Sequence, residues 1–272
     1  MTSRPDDAAQ VTAIVGVGMM GGTLLGGLLR AGWDAGSLLI AERSASLAEQ
    51  VSARTGVRVA DLAEVARTAD TVVLVVKPQD AAGVLDDLAA TLHPGALVVS
   101  LCAGLRTEVV EGHLPPGTPV VRVMPNTPAS VGEAMSALSA GGNATDDHVA
   151  TAERLLGAVG QVVVVPEKYQ DAVTAVSGSG PAYLFYVADA MIEAGVHLGL
   201  PRPIATQLAT QTLLGSAKLL SESGTHPAVL RENVTSPAGT TAAALRVLDD
   251  RGVRAAFLAA LEAARDRSVA LG

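Results

Sequence analysis

Three glycines near the start of the chain have the spacing of a phosphate-binding turn. They lie where a short apolar run, residues 13–17, ends and an amphipathic stretch, residues 21–31, begins. In this context the first glycine permits a tight turn, the second lets the backbone approach a pyrophosphate, and the third lets helix and strand pack closely. The N–H groups of the helix N-terminus face the anion. A dinucleotide is the predicted ligand, with a purely structural turn as the alternative. The predicted contacts are Gly16, Val17, Gly18, Met19, Met20 and Gly21.

The residues after the second predicted strand, 38–41, are placed to contact the adenosine ribose. An acidic residue there, such as Glu42, accepts from the ribose 2′-hydroxyl and suits NADH. Arg43 with Ser44 would instead hold the 2′-phosphate of NADPH. Because a guanidinium matches a phosphate with two hydrogen bonds, NADPH is the expected cofactor and NADH the alternative. Glu42 would then face solvent or pair with Arg43. A solvated strand end without a ribose contact is a further alternative.

Three more strand ends carry residues that a ligand could use, since ligands of parallel α/β sheets bind at the carboxyl ends of strands. Gly104 would let a ring lie close to the backbone, and Asn126 and Thr127 add polar groups between two prolines. An exposed strand end explains Lys77 equally well, and a structural turn explains the prolines. The predicted cofactor contacts at these ends are Val75, Val76, Lys77, Pro78, Cys102, Ala103, Gly104 and Asn126.

Two polar, glycine-rich segments, 177–183 and 234–241, each open a predicted helix in the C-terminal part of the chain. Hydroxyls, glycines and free N–H groups at a helix N-terminus bind a carboxylate or a phosphate without a basic side chain. N-capping is the alternative for either segment, but two of them in one domain favour a ligand. The predicted substrate contacts are Ser177, Gly178, Ser179, Gly180, Gly239, Thr240 and Thr241.

Between residues 12 and 166, β-branched apolar runs alternate with amphipathic stretches, which indicates a parallel sheet with crossover helices. After residue 166 only helical patterns follow. The predicted fold is α/β, with an N-terminal doubly wound Rossmann-type sheet in residues 1–166 and an all-helical domain for substrate binding and oligomerisation in residues 167–272. The predicted strands are 13–17, 38–41, 71–76, 96–101, 119–123 and 161–165. The predicted helices are 21–31, 46–55, 62–67, 79–91, 147–158, 170–176, 181–198, 203–222, 227–233, 240–248 and 253–271.

Composition narrows the class of protein. The net charge of −8 and the lack of a basic run argue against a nucleic-acid partner. Cys102 is the only cysteine and the five histidines lack ligand spacing, so neither a disulfide nor a metal site is expected.

No apolar stretch reaches the roughly 20 residues of a membrane helix, and residues 1–10 are polar. A cytoplasmic location is therefore expected. The broad Ala/Leu faces of the C-terminal helices predict a homo-oligomer.

The sequence resembles the pyrroline-5-carboxylate reductases over nearly its whole length. The similarity is most specific in residues 171–183 and 234–245, supported by residues 76–79 and 122–129. It implies reduction of 1-pyrroline-5-carboxylate to L-proline by NAD(P)H, in a homodimer whose helical domains interlock and which often builds up into a decamer. It matches Thr240 and Thr241 to the residues that bind the substrate carboxylate. It also matches Asn233 to a residue that reaches the cofactor of the partner subunit, so that each site is shared between chains.

Three positions depart from this family. Met19 and Leu62 stand where many members have asparagine. Thr225, with Glu222 close by, lies near a position where many have an acidic residue. These differences bear on the cofactor preference and on the group that touches the imine nitrogen.

The implied reaction asks for little acid–base chemistry, because hydride passes to an imine carbon that protonation of the nitrogen makes electrophilic. The site is expected to align two rings and to anchor a carboxylate. Thr241, or a water that it holds, is the predicted catalytic proton donor. One alternative is a reductase of another imine or of a keto acid, which would need a base such as Lys218, here interpreted as a surface lysine. The other is a regulator that binds NAD(P)H without turnover.

Overall fold

The computed structural model describes residues 10–272, so the expectation drawn from the polar start of the chain falls, except for Gln10, outside the described residues. The described residues form one eight-stranded sheet whose strand order is β3-β2-β1-β4-β5-β6-β7-β8. Neighbouring strands pair in parallel except β6 and β7, which are antiparallel. In chain order the strands are β1 Thr12–Val15, β2 Leu38–Ala41, β3 Arg58–Val59, β4 Thr71–Leu74, β5 Leu97–Ser100, β6 Val120–Met124, β7 Ala134–Ala140 and β8 Gly160–Val164.

Helices connect these strands and then continue alone, which confirms the predicted α/β fold followed by a helical part. A π-helical turn, Thr174–Gly178, continues α7, where the sequence predicts one α-helix through residue 176. The α-helices are α1 Met19–Arg30, α2 Ala45–Thr55, α3 Leu62–Thr68, α4 Pro78–Ala89, α5 Thr107–His113, α6 Asp146–Gly157, α7 Gln170–Val173, α8 Gly180–His197, α9 Arg202–Ser223, α10 Pro227–Asn233, α11 Thr240–Asp250 and α12 Val253–Val269.

Two strands and one helix were not predicted. β3 has only two residues and both are exposed, so no periodic pattern marks it. β7 consists of alanine, serine, methionine and leucine, which have little intrinsic preference for strands. Its pairing with β6 on one side and β8 on the other provides the strand conformation instead. The seven-residue α5 is too short to show a helical period.

Both faces of the sheet are buried, which explains why its central strands are apolar throughout. Along β1, Ala13 and Val15 belong to one core cluster and Ile14 to the cluster on the opposite face. The neighbouring strands repeat this alternation in register. Trp33, the single tryptophan, is partly buried against the cluster that contains Ile14.

The chain divides by its internal contacts into two compact units. The first extends to Gly178 and includes Ala264–Gly272, and the second is Ser179–Ala263. The end of α12 belongs to the first unit, where the Ser268 hydroxyl donates to an Asp171 carboxylate oxygen at 2.7 Å. The domain boundary at residue 166 stays a prediction.

The helices of the second unit leave many apolar side chains on the surface. α8 has no buried residue, and Phe185 is 69% exposed. α8 and α9 approach closely through small residues, since a Cβ built on Gly195 would lie 3.0 Å from the Ala205 Cβ. An exposed apolar surface of this extent marks an interaction surface.

None of the helices in the described residues is long and apolar enough to cross a membrane.

Candidate functional site

The glycine turn lies between β1 and α1, at the carboxyl edge of the parallel strands. Gly16 has a φ of +93°, and its N–H donates to the Ala41 carbonyl oxygen at 2.8 Å. A Cβ at Gly16 would lie 2.5 Å from the Val75 carbonyl oxygen, and one at Gly21 would collide with the Gly16 carbonyl oxygen. Gly16 is required by both its positive φ and its contacts, and Gly21 is required by its contact with the Gly16 carbonyl oxygen, so these two residues build the turn.

The mouth of this turn is open at Gly18, the N-cap of α1. No atom lies within 4 Å of a Cβ built on Gly18, and no side chain of the described residues caps the helix there. The first N–H groups of a helix have no acceptor within it. Those of α1 have no capping side chain from residues 10–272 either. Met19 is 87% exposed beside them, and Met20 packs partly buried against the core. This combination of free space and N–H donors fits an anionic pyrophosphate.

A groove of about 530 Å³ adjoins the turn and runs between α1 and α2. Leu47 and Val51 of α2 line one wall, and Arg30 and Arg54 also line it. Two cationic side chains beside free N–H donors make this side of the turn favourable for an anion.

Glu42, directly after β2, turns toward the glycine turn. Its two carboxylate oxygens accept hydrogen bonds from Val17 N and from Ser44 N, both at 3.0 Å. Arg43 is 86% exposed at its side chain and lies 3.6 Å from the Asp80 carboxylate. The expectation that Glu42 faces solvent or pairs with Arg43 was therefore wrong, because two backbone donors hold the carboxylate inside. The Ser44 hydroxyl caps α2 by accepting from Leu47 N at 3.4 Å.

The ends of β4 and β5 lie at the same edge as the turn. Val75 N donates to the Val15 carbonyl oxygen at 2.8 Å, and Lys77 and Pro78 begin α4. The Cys102 thiol is buried and donates to the Val76 carbonyl oxygen at 3.4 Å. Burial raises the pKa of this thiol, against smaller lowering effects from its hydrogen bonds. A cofactor contact from Cys102 would therefore come from its backbone, as from Ala103 and Gly104.

Asn126 has both ends of its amide engaged within the protein. Its oxygen accepts from Met135 N at 2.9 Å, and its nitrogen donates to the Ser177 carbonyl oxygen at 3.1 Å. Next to it, a Cβ on Gly178 would lie 2.5 Å from the Met124 Cε. Asn126 thus fastens the predicted substrate segment to the end of β6, and its cofactor contact stays a prediction.

A partly buried ion pair that was not predicted from the sequence anchors the chain before this segment. Arg122, in the middle of β6, is buried and lies 3.1 Å from Glu167. Glu167 also accepts from Thr107 N at 2.8 Å and from the Thr107 hydroxyl at 2.6 Å. Burial acts to raise the pKa of Glu167, but the hydrogen bonds from Thr107 and Arg122 together hold it below the ordinary value of 4.5. A charged residue inside an apolar strand was the available signal for Arg122.

The remaining predicted residues lie in the second unit. Ser179 and Gly180 begin α8, and Asn233 is exposed at the end of α10. Gly239 is the N-cap of α11, with Thr240 exposed and Thr241 half-buried in its first turn. Just before them, Ala238 has a φ of +58°, the one positive φ of a non-glycine residue among residues 10–272. This strained turn presents two hydroxyls and free N–H groups together, which suits a carboxylate.

No group of three or more His, Cys, Asp or Glu side chains in the described part of the chain could hold a metal ion. The candidate groups of the first unit are backbone donors and one oriented carboxylate, and those of the second unit are hydroxyls and backbone donors. Such groups bind and orient anionic molecules.

Comparison with known proteins finds relatives that match nearly the whole chain. Residues 167–271 match the family described as pyrroline-5-carboxylate reductase dimerisation, and residues 11–104 match the family described as NADP oxidoreductase, coenzyme F420-dependent. A pyrroline-5-carboxylate reductase of Corynebacterium melassecola is 42% identical over 264 residues, which cover 96% of this chain and 98% of that protein.

Two solved structures share the fold at this length. The pyrroline-5-carboxylate reductase of Coxiella burnetii has a TM-score of 0.92 and 36% identity, covering 97% of this chain and 98% of that chain. The pyrroline carboxylate reductase of Plasmodium falciparum, solved with NADP bound, has a TM-score of 0.87 and 30% identity with the same coverage.

Proposed function

The chain belongs to the pyrroline-5-carboxylate reductase family, and from this membership we propose that it reduces 1-pyrroline-5-carboxylate to L-proline with NAD(P)H. The observation that carries the proposal is 42% identity to a reductase over 96% of the chain. The open glycine turn supports it independently, because an oxidoreductase of this kind needs a dinucleotide site.

The residues at the carboxyl edge of the sheet fit a nicotinamide dinucleotide. The turn from Gly16 to Gly21 would hold the pyrophosphate on free N–H groups. Glu42, Arg43 and Ser44 would hold the adenosine ribose. Residues 75–78 and 102–104 would contact the nicotinamide side through the backbone. When bound, the nicotinamide ring supplies the hydride that the C=N bond accepts.

The substrate carboxylate would be held by hydroxyls and N–H groups of two helix starts. Gly239, Thr240 and Thr241 offer one such set at α11. Residues 177–180 offer the other, and Asn126 fixes the Ser177 end of it. Such groups can bind the anion without a basic side chain. The Thr241 hydroxyl, or a water that it holds, would deliver a proton to the imine nitrogen.

We expect NADPH and NADH to lose their nicotinamide absorbance in the presence of the protein only when 1-pyrroline-5-carboxylate is added. The assay is steady-state oxidation of each cofactor, with the same mixture lacking the imine as control. Cofactor binding without oxidation would contradict the proposal and favour a nucleotide-binding regulator. Oxidation with a different imine or a keto acid alone would point to another reductase.

The role of Thr241 is tested with two variants of different chemistry. Thr241→Val keeps the shape but removes the hydroxyl, so kcat should fall about a hundredfold, as for a lost proton donor. Thr241→Ser keeps the hydroxyl and should stay within about threefold of the wild type. Equal kcat values for the wild type and Thr241→Val would exclude Thr241 as the donor.

Residues 167–271 match the dimerisation region of this family, which supports self-association of the chain. We propose further that the active sites are shared, with Asn233 of one chain reaching the cofactor of the other, and that dimers assemble into a decamer. The exposed apolar side chains of α8 to α12 supply the surface for these contacts. A cytoplasmic location and the lack of a nucleic-acid partner complete the proposal, supported by the single cysteine and by the net charge of −8.

A further inference from the structure

Glu42 is held in one orientation by the backbone around it. One carboxylate oxygen accepts from Val17 N, inside the glycine turn, and the other accepts from Ser44 N, each at 3.0 Å. The two donors belong to segments that follow neighbouring strands, β1 and β2. The carboxylate therefore bridges the turn and the end of β2, where the adenosine ribose lies in this fold.

The acceptor sites of this carboxylate match a ribose with two free hydroxyls. An ionised carboxylate offers about four lone-pair sites, and the two backbone N–H groups occupy two of them. Two sites remain for the 2′- and 3′-hydroxyls, which are donors. A 2′-phosphate offers only acceptor oxygens and carries roughly −1.5 to −2 charge at pH 7. It would place like charges against each other at this position.

Of the groups that would favour a 2′-phosphate, Arg43 already has an ionic partner within the protein. Its guanidinium lies 3.6 Å from the Asp80 carboxylate in the first turn of α4. The Ser44 hydroxyl accepts from Leu47 N and caps α2, but its O–H can still donate to a ribose or a phosphate oxygen, so Ser44 does not distinguish the two cofactors. The Arg43 pair is exposed and weak, so it would yield to a phosphate. Glu42 is partly buried and held at both oxygens, so its carboxylate would not move away to admit a phosphate.

We propose that Glu42 makes this chain bind NADH more tightly than NADPH by accepting from the ribose hydroxyls and excluding the 2′-phosphate. The inference rests on the proposed function only in requiring a nicotinamide dinucleotide at the glycine turn. Of the two interpretations of residues 42–44, it favours an NADH site made by Glu42 over an NADPH site made by Arg43 and Ser44.

The test is the Kd of NADH and of NADPH, measured by nicotinamide fluorescence on the full chain without the imine. The wild type should bind NADH about tenfold more tightly, the effect of one hydrogen bond to a charged group. Glu42→Gln should weaken NADH and strengthen NADPH, moving the ratio of the two Kd values by about tenfold or more. Glu49→Gln removes the same charge from an exposed position on α2 and should leave the ratio unchanged.

If Glu42→Gln fails to fold, adenosine phosphates that compete with NADH for the wild type test the same inference. AMP, which differs from adenosine 2′,5′-bisphosphate only in lacking the 2′-phosphate, should displace bound NADH at about tenfold lower concentration than the bisphosphate does. Tighter binding of NADPH by the wild type, or an equal change of both Kd values in Glu42→Gln, would overturn the inference and leave Glu42 as a support of the turn. Selective NADH binding without imine turnover would reject the proposed function and leave the inference standing.

Discussion

Gly21→Ala should weaken the binding of both cofactors by about a hundredfold or more and destabilise the first unit. The added Cβ would meet the Gly16 carbonyl oxygen, so either the turn or the start of α1 has to move. Overpacking of this kind costs about 3 kcal/mol of unfolding free energy. Displacing two N–H donors from a pyrophosphate weakens binding by about a hundredfold or more. Thermal unfolding and cofactor titration measure the two effects separately.

Gly18→Ala is the matched variant in the same turn. A Cβ there meets no atom within 4 Å, and the φ of −63° suits alanine. Stability should therefore stay within about 0.5 kcal/mol of the wild type, while the methyl group occupies the space predicted for the pyrophosphate. If Gly18→Ala binds both cofactors as the wild type does, the pyrophosphate does not lie at this point.

Glu167→Gln should destabilise the first unit by about 2–3 kcal/mol, because it leaves the Arg122 guanidinium buried without its carboxylate. The value lies at or below the low end for buried pairs, since the Glu167 side chain is 27% exposed. Glu108→Gln is the control, because its ion pair with Arg106 is exposed on both sides. That change should cost less than about 0.5 kcal/mol. Chemical unfolding of the three proteins gives the comparison.

The effect of Glu167→Gln should depend on pH. Since the folded-state pKa of Glu167 lies below the ordinary value of 4.5, its carboxylate contributes stability fully above that value. The contribution is lost as the pH falls through the folded-state pKa. The difference between wild type and Glu167→Gln should thus be constant near neutral pH and shrink in acid. A difference no larger than that of Glu108→Gln at neutral pH would contradict the importance of this pair.

The central strands and the glycine turn could be predicted because their signals are local. Apolar β-branched runs mark β1, β4, β5 and β6, and the glycines lie between a strand and a helix. β7 could not be predicted, because its alanines and serines gain strand structure only from the neighbouring strands. The same limit applies to α7, which gives way to a π-helical turn beside Asn126.

The contacts within the candidate site were harder to predict than the elements. Glu42 and Val17 are 25 residues apart, and Arg122 and Glu167 are 45 apart. In both pairs, nothing in the sequence near one residue indicates which distant residue it contacts. The residue types were recognisable as binding groups, whereas the direction of each side chain depends on the folded sheet. That is why Glu42 was expected to face solvent or to pair with Arg43.

The position of Trp33 gives the two units separate optical signals. As the only indole, on the core of the first unit, it reports by fluorescence on the sheet alone. Far-ultraviolet circular dichroism also records the helices of Ser179–Ala263. Coincident melting by both signals would mean that the units unfold together, and a later or earlier dichroism transition would mean that the helical unit melts on its own.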